Sequence, residues 1–244
     1  MPCHRRTRAE KLSRFVYVFT LTSFILPIAF IIYCLCIWNE NIAAATGRVY
    51  ADYVLMLLQC LLGIVTIHVP MLFSRQFKVE LPTALYVMYI VFLYAAIFLG
   101  EVRSYYYKFS SWDNILHTFS SIMTGCLGFM LVALLNRSER AKLNLSPFFV
   151  AMFAFCFSLT VGTVWEIYEF LSDAILKTNM QKFMTAEGVI LSGHEAIVDT
   201  MHDFMIDALG ALIASIAGYF SLRSGKGWAS DLIATYSQKH PETK

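Results

Sequence analysis

The chain has 244 residues, of which 58% are hydrophobic and 15% are charged, and its mean hydropathy is +0.60. Soluble globular proteins carry roughly a quarter charged residues and are about half apolar, so this composition excludes that class. The apolar residues fall in blocks of about 20, the length that crosses a bilayer, which also excludes a disordered chain and a water-soluble disulfide scaffold. The composition is typical of a polytopic membrane protein.

The six cysteines indicate neither a disulfide framework nor a zinc site. They lie in the N-terminal tail or inside apolar blocks, without a Cys-x-x-Cys pair, and are interpreted as small buried apolar residues. The basic segments lack the interleaved aromatic residues that are typical of nucleic-acid binding, so no nucleic-acid partner is predicted.

Windows of about 19 residues give six apolar spans. They cover residues 15–37, 53–73, 81–99, 115–135, 147–171 and 198–222. Each span has to be a helix, because a lipid-exposed strand needs a closed barrel to satisfy its backbone groups. The sequence therefore predicts an all-α membrane protein, with residues 1–244 forming one integral membrane domain.

The basic residues predict the orientation of the helices. Fourteen of the 19 lie in the tail 1–14, in the second and fourth loops and in the tail 223–244. Cytoplasmic segments are enriched in Lys and Arg, so both termini are predicted to be cytoplasmic. The first apolar run is longer than the 7 to 15 residues of a signal-peptide core, and we therefore expect a retained helix.

The acidic residues show the reverse distribution. The predicted outer side carries 12 of the 17 acidic residues and only 5 basic ones. Single polar residues inside spans, such as Asp52 and His68, are interpreted as structural. An acid inside an apolar helix costs a few kcal/mol unless it is paired, hydrated or bound to a metal.

Helical spacing places several of these acids on shared faces of the last three spans. Each face carries acids or His toward the outside and small residues toward the cytoplasm, and small residues allow helices to approach closely in lipid. We expect these faces to form an outward-opening pocket about 12 Å deep. The polar residues of the three faces are Asp113 and His117; Glu166, Glu169 and Asp173; and Asp199, Asp203 and Asp207.

Such a pocket needs positive charge, because neighbouring carboxylates raise each other's pKa. Carboxylates with one imidazole favour Mg²⁺, Mn²⁺ or Ca²⁺ over zinc or iron. The predicted ligands of a divalent metal are Glu166, Glu169, Asp199, Asp203, Asp207 and His117. His117, oriented by Asp113 one turn earlier, is also the predicted acid or base.

Three blocks of this sequence resemble a bacterial inner-membrane family that includes the protein YjdF. They are Trp112-Asp113 through His117, Trp165-Glu166 through Glu169-Phe170, and Val198-Asp199-Thr200 through Asp203-Phe204, leading to Gly210-Ala211. Members of that family carry Tyr-Asp-x-x-x-His, Tyr-Glu-x-x-Glu-Trp and Trp-Asp-Thr-x-x-Asp-Met at these places. A looser likeness runs to VanZ-like membrane proteins, which have Asn where this chain has Asp207. The resemblance covers roughly residues 100–218 and implies a bacterial cytoplasmic membrane protein with this site, but no particular reaction.

Three functions agree with the pattern. The first is a metal-dependent enzyme that acts on a lipid or lipid-linked headgroup in the outer leaflet, with the outer segment 172–197 as an interfacial lid or a plain connector. The lid is indicated by the near-helical spacing of Leu176, Met180, Phe183 and Met184. The second is a cation- or proton-coupled transporter that uses Gln59 and His68 toward the cytoplasm. The third is a structural ion site in a protein that binds another membrane protein.

Overall fold

The computed structural model describes residues 8–77, 81–135, 145–185 and 188–232. Within these ranges the chain is helical, and its extended backbone pairs only in one isolated bridge, between Met184 and Ile190. Six helical stretches have the length and apolar composition to cross a membrane: Lys11–Cys36, Tyr50–Gln76, Thr83–Val102, Trp112–Leu135, Pro147–Leu176 and Glu195–Ser224. They overlap the six predicted spans and confirm the all-α membrane fold.

Parts of the predicted tails and loops lie outside the described residues. These parts are 1–7, 78–80, 136–144, 186–187 and 233–244. They contain many of the charges that predict the orientation, including Arg5, Arg6, Lys78, Arg137 and Glu187. The cytoplasmic position of both termini remains a prediction.

The structure describes nine α-helices. In chain order they are α1 (Arg8–Cys36), α2 (Glu40–Thr46), α3 (Tyr50–Thr66), α4 (Val69–Phe77), α5 (Thr83–Leu93), α6 (Tyr105–Lys108), α7 (Trp112–Leu135), α8 (Pro147–Leu176) and α9 (Val198–Ser224). A π-helix, Tyr94–Val102, continues α5, and a 3₁₀ turn, Glu195–Ile197, precedes α9.

The chain divides into two compact units. Unit 1 consists of Met1–Leu116 and Ser172–Thr178, and unit 2 consists of His117–Leu171 and Asn179–Lys244. All the predicted metal ligands belong to unit 2, whereas Asp113 and Asp173 belong to unit 1.

Unit 1 is built around α1, which packs against α3 and α5. Its core contains the fully buried side chains of Phe24, Ile31, Cys60 and Ile90. Since lipid tails are as apolar as these side chains, close van der Waals packing, and not exclusion from water, stabilises this contact.

The polar residues of unit 1 bond mainly to its own backbone. The Nδ1 atom of His68 lies 2.7 Å from the carbonyl oxygen of Ile64, and its Nε2 atom lies 2.9 Å from the hydroxyl of Tyr17. Because a carbonyl only accepts, Nδ1 carries the proton and the tyrosine donates to Nε2. The Asp52 carboxylate accepts from the backbone N–H of Val49 at the start of α3. Both residues have the structural contacts that were predicted for them.

Arg48 closes the end of the π-helix. Its guanidinium donates to the carbonyl oxygens of Glu101 and Val102, each at 3.1 Å, and also contacts Met56 Sδ and Ser104 Oγ. Carbonyls at a helix end lack partners within the helix, and a cation there also interacts favourably with the helix dipole. Arg48 therefore anchors the point where the chain leaves the third span.

We predict that Arg48→Met lowers the stability of the protein in detergent by about 1 to 3 kcal/mol, because two helix-end carbonyls lose a charged donor. Thermal unfolding followed by circular dichroism measures this change. Arg103→Met is the matched control, since Arg103 is exposed near the same helix end. Equal unfolding temperatures of the two variants would contradict the role assigned to Arg48.

Unit 2 is formed by α7, α8 and α9, whose ends carry ordinary helix signals. The hydroxyl of Ser146 accepts from the backbone N–H of Phe149, and Pro147 occupies the first helical position of α8. Gly225, with φ of 64°, ends α9 in the left-handed conformation.

The half of unit 2 distant from the acids is closely packed. A Cβ atom on Gly128 would lie 2.7 Å from the Cα of Ala154, and one on Gly218 would lie 2.1 Å from the ring of Phe129. The side chain of Phe129 is fully buried. The hydroxyl of Ser158, also buried, donates to the carbonyl oxygen of Ser121 at 2.8 Å and bonds α8 to α7.

The segment between α8 and α9 folds back on itself instead of forming the helix that its apolar spacing indicated. The Asn179 side chain pairs with the backbone N–H and C=O of Met184, and Leu191 N–H donates to the carbonyl oxygen of Phe183. We call residues 179–185 and 188–191 the hairpin segment. Within its described residues the near-helical spacing of Met180, Phe183 and Met184 does not correspond to a helix.

Candidate metal centre

The candidate centre lies at the acid-bearing end of unit 2, where three helices each contribute side chains. α7 positions His117, α8 positions Glu166 and Glu169, and α9 positions Asp203 and Asp207. All five residues are buried, with exposed fractions of at most 6%. These five residues are among those that helical spacing placed on the three polar faces, and their roles as ligands stay predictions.

His117 lies between two carboxylates. Its Nδ1 atom is 3.3 Å from Asp207 Oδ1, and its Nε2 atom is 3.9 Å from Asp203 Oδ2. The first distance allows a hydrogen bond, whereas the second is too long for one. A neutral imidazole carries one N–H and one lone pair. A proton on Nδ1, bonded to Asp207, directs the lone pair on Nε2 toward Asp203.

Gly162 makes room for this arrangement. A Cβ atom at this position would lie 2.3 Å from Asp207 Oδ2. The carboxylate of Asp207 therefore rests directly on the backbone of α8, and no larger residue fits there without moving it. Asp207 thus occupies the position of a residue that orients His117 through Nδ1.

Glu166 is a buried carboxylate that faces polar side chains from other segments. It is 3% exposed, and the side chains of Gln181 and Thr200 face it as hydrogen-bond donors. His117 and Asp199 lie within electrostatic range. Burying a charge is costly unless it is paired. This carboxylate is therefore placed where a cation would stabilise it.

The other predicted residues have separate positions. Glu169 accepts a hydrogen bond from the indole N–H of Trp165 at 3.0 Å. Asp199 lies at the mouth of the site, where Lys182 Nζ donates to it at 2.8 Å. Asp173, in unit 1, accepts from the hydroxyl of Thr178 at 2.6 Å.

Asp113 lies one turn before His117 on α7. The Nδ1 atom of His117 lies against the carboxylate of Asp207. The orientation of His117 by Asp113 stays a prediction.

Sequence reasoning missed Lys182 and Gln181 as neighbours of the site. Gln181 Nε2 donates to the hydroxyl of Thr200 at 3.0 Å, beside the salt bridge from Lys182 to Asp199. Both residues come from a segment whose apolar spacing indicated a helix, so the sequence did not predict where their side chains lie. The sequence would have allowed a prediction of the hydrogen bond from Trp165 to Glu169, because residues four apart meet on one helix face.

A family model described as "Predicted membrane protein (DUF2238)" matches residues 26–224. The chain belongs to this family. The DUF2238 family is the YjdF family, so the three sequence blocks pointed to the right relatives. The matched range contains all the residues of the candidate centre.

One relative of this DUF2238 protein is known from Thermotoga maritima, where it is described as an uncharacterized protein. It is 30% identical over 144 residues, which are 58% of this chain and 65% of the relative. The chain thus aligns with less than two thirds of that relative's length. No solved structure matches the chain significantly.

We predict that Asp207→Ala shifts the tautomer of His117 away from the form with the proton on Nδ1, because the acceptor at 3.3 Å is lost. Nitrogen–proton correlation spectra of ¹⁵N-histidine-labelled protein in micelles report the tautomer. Asp199→Asn, which changes an acid at the mouth, should leave the His117 signals in place. An unchanged tautomer in the Asp207 variant would contradict the orienting role.

Proposed function

We propose that this protein is a membrane enzyme that binds a divalent cation between Glu166, Asp203 and His117 and acts on the headgroup of a lipid or lipid-linked molecule. The burial of Glu166 and Asp203 beside His117 carries the proposal. A membrane protein that excludes water around a carboxylate has to neutralise it with a proton, a paired side chain or an ion.

The side chains around His117 support an ion. His117 Nε2 and Asp203 Oδ2 lie 3.9 Å apart, too far for a hydrogen bond, and both would hold the cation. A hard carboxylate set with one imidazole favours Mg²⁺, Mn²⁺ or Ca²⁺. Glu169 is a further proposed ligand through its second oxygen, and Asp199 is one at the mouth.

The chemistry proposed for the site follows from these ligands. A bound divalent cation polarises an oxygen of the substrate as a Lewis acid. Asp207, bonded to Nδ1, would direct the Nε2 lone pair of His117 toward a cation, and His117 is also the proposed acid or base. The reacting group is a headgroup and not an acyl chain, because the charged residues lie near the ends of their helices.

The proposed location is a bacterial cytoplasmic membrane, with the site facing the outer leaflet. The distribution of basic residues supports this orientation. Membrane lipid is therefore the surrounding solvent and the proposed source of the substrate.

We also propose that the two units act as one integral membrane domain, and that VanZ-like proteins are distant relatives.

The packing of unit 2 supports an enzyme more than a transporter. A transporter has to expose its ion site to each side of the membrane in turn. Below the acids, Gly128 contacts Ala154 and Gly218 contacts the buried ring of Phe129 without space for a methyl group. Gln59 and His68, the residues of the predicted transport route, belong to unit 1, where His68 is bonded to Tyr17 and to the backbone.

We predict that the purified protein binds Mn²⁺ and that Glu166→Gln and Asp203→Asn each weaken this binding at least about tenfold, because each removes a charged ligand. Isothermal titration calorimetry measures the affinity. Glu166→Gln should also raise the unfolding temperature of the metal-free protein, since it removes a buried negative charge. In the parent, Mn²⁺ should raise the unfolding temperature, and a chelator should reverse the rise.

Glu195→Gln is the matched control, because Glu195 is exposed just before α9. It should bind Mn²⁺ like the parent. A parent protein that binds no divalent metal after chelation and reloading would refute the metal site. Variants that unfold only when metal is absent, while all lipid turnover is unaffected, would instead indicate a structural ion.

We predict that proteoliposomes containing the protein show no proton or Mn²⁺ flux above that of empty liposomes, because unit 2 is closely packed below the site. Fluorescent pH and metal indicators inside the vesicles measure this flux. Turnover of a labelled phospholipid in the same vesicles is the complementary measurement. Mn²⁺ flux that is lost in Glu166→Gln would establish transport and overturn the enzyme proposal.

A further inference from the structure

The hairpin segment brings an ammonium group to the mouth of the acid site. Lys182 Nζ lies 2.8 Å from Asp199 Oδ1, while the second carboxylate oxygen of Asp199 has no hydrogen-bond partner. The side chain of Lys182 remains 43% exposed. A partner from solution or from the membrane surface can therefore reach this ammonium group without any change of fold.

The position of Lys182 is specific in two ways. Its backbone has φ of 49°, a left-handed conformation that is unfavourable for a residue other than glycine. The other Lys and Arg residues in the described part of unit 2 are Arg223, in the last turn of α9, and Lys226, just after this helix. Residues 199 and 223 are separated by about 36 Å along a helix, so neither of these two residues reaches the acid-bearing end.

The neighbours of Lys182 connect it to the buried part of the site. Gln181 donates to Thr200, and both adjoin the carboxylate of Glu166. This carboxylate is 3% exposed and lies within electrostatic range of His117. An ammonium at the mouth and a cation beneath it would present two positive centres to one ligand.

Two positive centres favour a ligand with several anionic oxygens. A phosphate ester has this chemistry, since one oxygen can bind the metal while another accepts from lysine. A neutral headgroup would leave Lys182 bonded to Asp199. The ligand that replaces Asp199 at the ammonium has to be an anion.

The surface around the hairpin segment indicates where the phosphate comes from. Val189 and Ile190 are 60% and 71% exposed, and Met201, on the first turn of α9, is 49% exposed. Exposed apolar side chains beside a charged mouth are typical of a protein surface at the lipid headgroup level. A phosphate at this depth is carried by a lipid.

We infer that Lys182 is the recognition residue for the phosphate of a phospholipid or lipid-linked phosphate that enters the candidate metal centre. This inference rests on the proposed function, because the phosphate is expected to bind next to the divalent cation. Lys182 leaves Asp199 and donates to the phosphate when the lipid binds.

The test compares two lysines of the same outer segment. Lys177, five residues earlier, is exposed and also has a positive φ, of 59°. The parent, Lys182→Gln, Lys177→Gln and Lys182→Arg are titrated in maltoside micelles at saturating Mg²⁺. The probes are short-chain phosphatidic acid, a phosphate-free short-chain diacylglycerol and inorganic phosphate. Mn²⁺ binding and the unfolding temperature are measured for every variant.

The expected result is a loss of phosphatidic acid affinity of at least about tenfold in Lys182→Gln, the effect of removing one charge-assisted donor. Lys177→Gln should bind it like the parent, and Lys182→Arg should retain most of the affinity. Mn²⁺ binding should persist in all variants, because none of them removes a proposed ligand. The diacylglycerol should bind weakly to the parent and to every variant.

Several outcomes would overturn the inference. Unchanged affinity in Lys182→Gln, equal losses in both lysine variants, or equally tight binding of the diacylglycerol would each refute recognition of phosphate by Lys182. In these cases Mn²⁺ binding by the parent would leave the proposed function standing. A parent that binds no Mn²⁺ would refute the proposed function itself. Inorganic phosphate that binds as tightly as phosphatidic acid would support the phosphate site but refute the lipid as its source.

Discussion

The burial of several carboxylates around one imidazole is the constraint on which the rest of unit 2 depends. His117 can carry at most one positive charge, and it lies between Asp203 and Asp207. Glu166 and Glu169 are buried beside it, and Glu169 accepts a hydrogen bond from the indole of Trp165. Each uncompensated acid in a membrane helix costs a few kcal/mol. The proposed cation, or protons shared among these acids, would supply positive charge to the arrangement.

This constraint gives the two ends of unit 2 different properties. At the acid-bearing end, side chains from three helices approach one another, and they include the buried carboxylates of Glu166 and Asp203. At the other end, small residues and the ring of Phe129 fill the space between the helices. Side chains on closely packed helices keep their positions, which favours a preorganised site. In unit 1, by contrast, Arg48 and Asp52 bond to backbone groups at helix ends.

Sequence periodicity predicted which residues share a helix face better than it predicted the role of each residue. The spans, the helical fold and the burial of His117, Glu166 and Asp203 in one unit follow from hydropathy and a repeat of 3.6 residues. The distinct role of Asp207 does not follow. Asp203 and Asp207 have the same spacing on α9, and only the register between α9 and α7 decides which ring nitrogen each one meets.

The hairpin segment shows a second limit of sequence reasoning. Its apolar spacing indicated a helix, but the Asn179 side chain bonds to the backbone of Met184 and competes with helix formation. Lys182 has a left-handed backbone for which its residue type gives no signal. Long-range contacts determine such a conformation, and a single sequence does not display them.

The three aspartates of α9 differ in the exposed fraction of their side chains. This exposure decides which groups can compensate the charge of each one. Asp199, Asp203 and Asp207 repeat every four residues, or about 6 Å along the helix. The side chain of Asp199 is 21% exposed and bonded to Lys182, so water can solvate its charge. Asp203 and Asp207 are at most 2% exposed and both face His117, so their charges depend on the imidazole and on whatever binds beside it. An anion that binds Lys182 would break the salt bridge between Lys182 and Asp199. The proposed cation would then be the nearest positive charge to the Asp199 carboxylate. The binding of an anion at the mouth and of a cation beneath it should therefore reinforce each other, since each compensates a charge that the other leaves exposed.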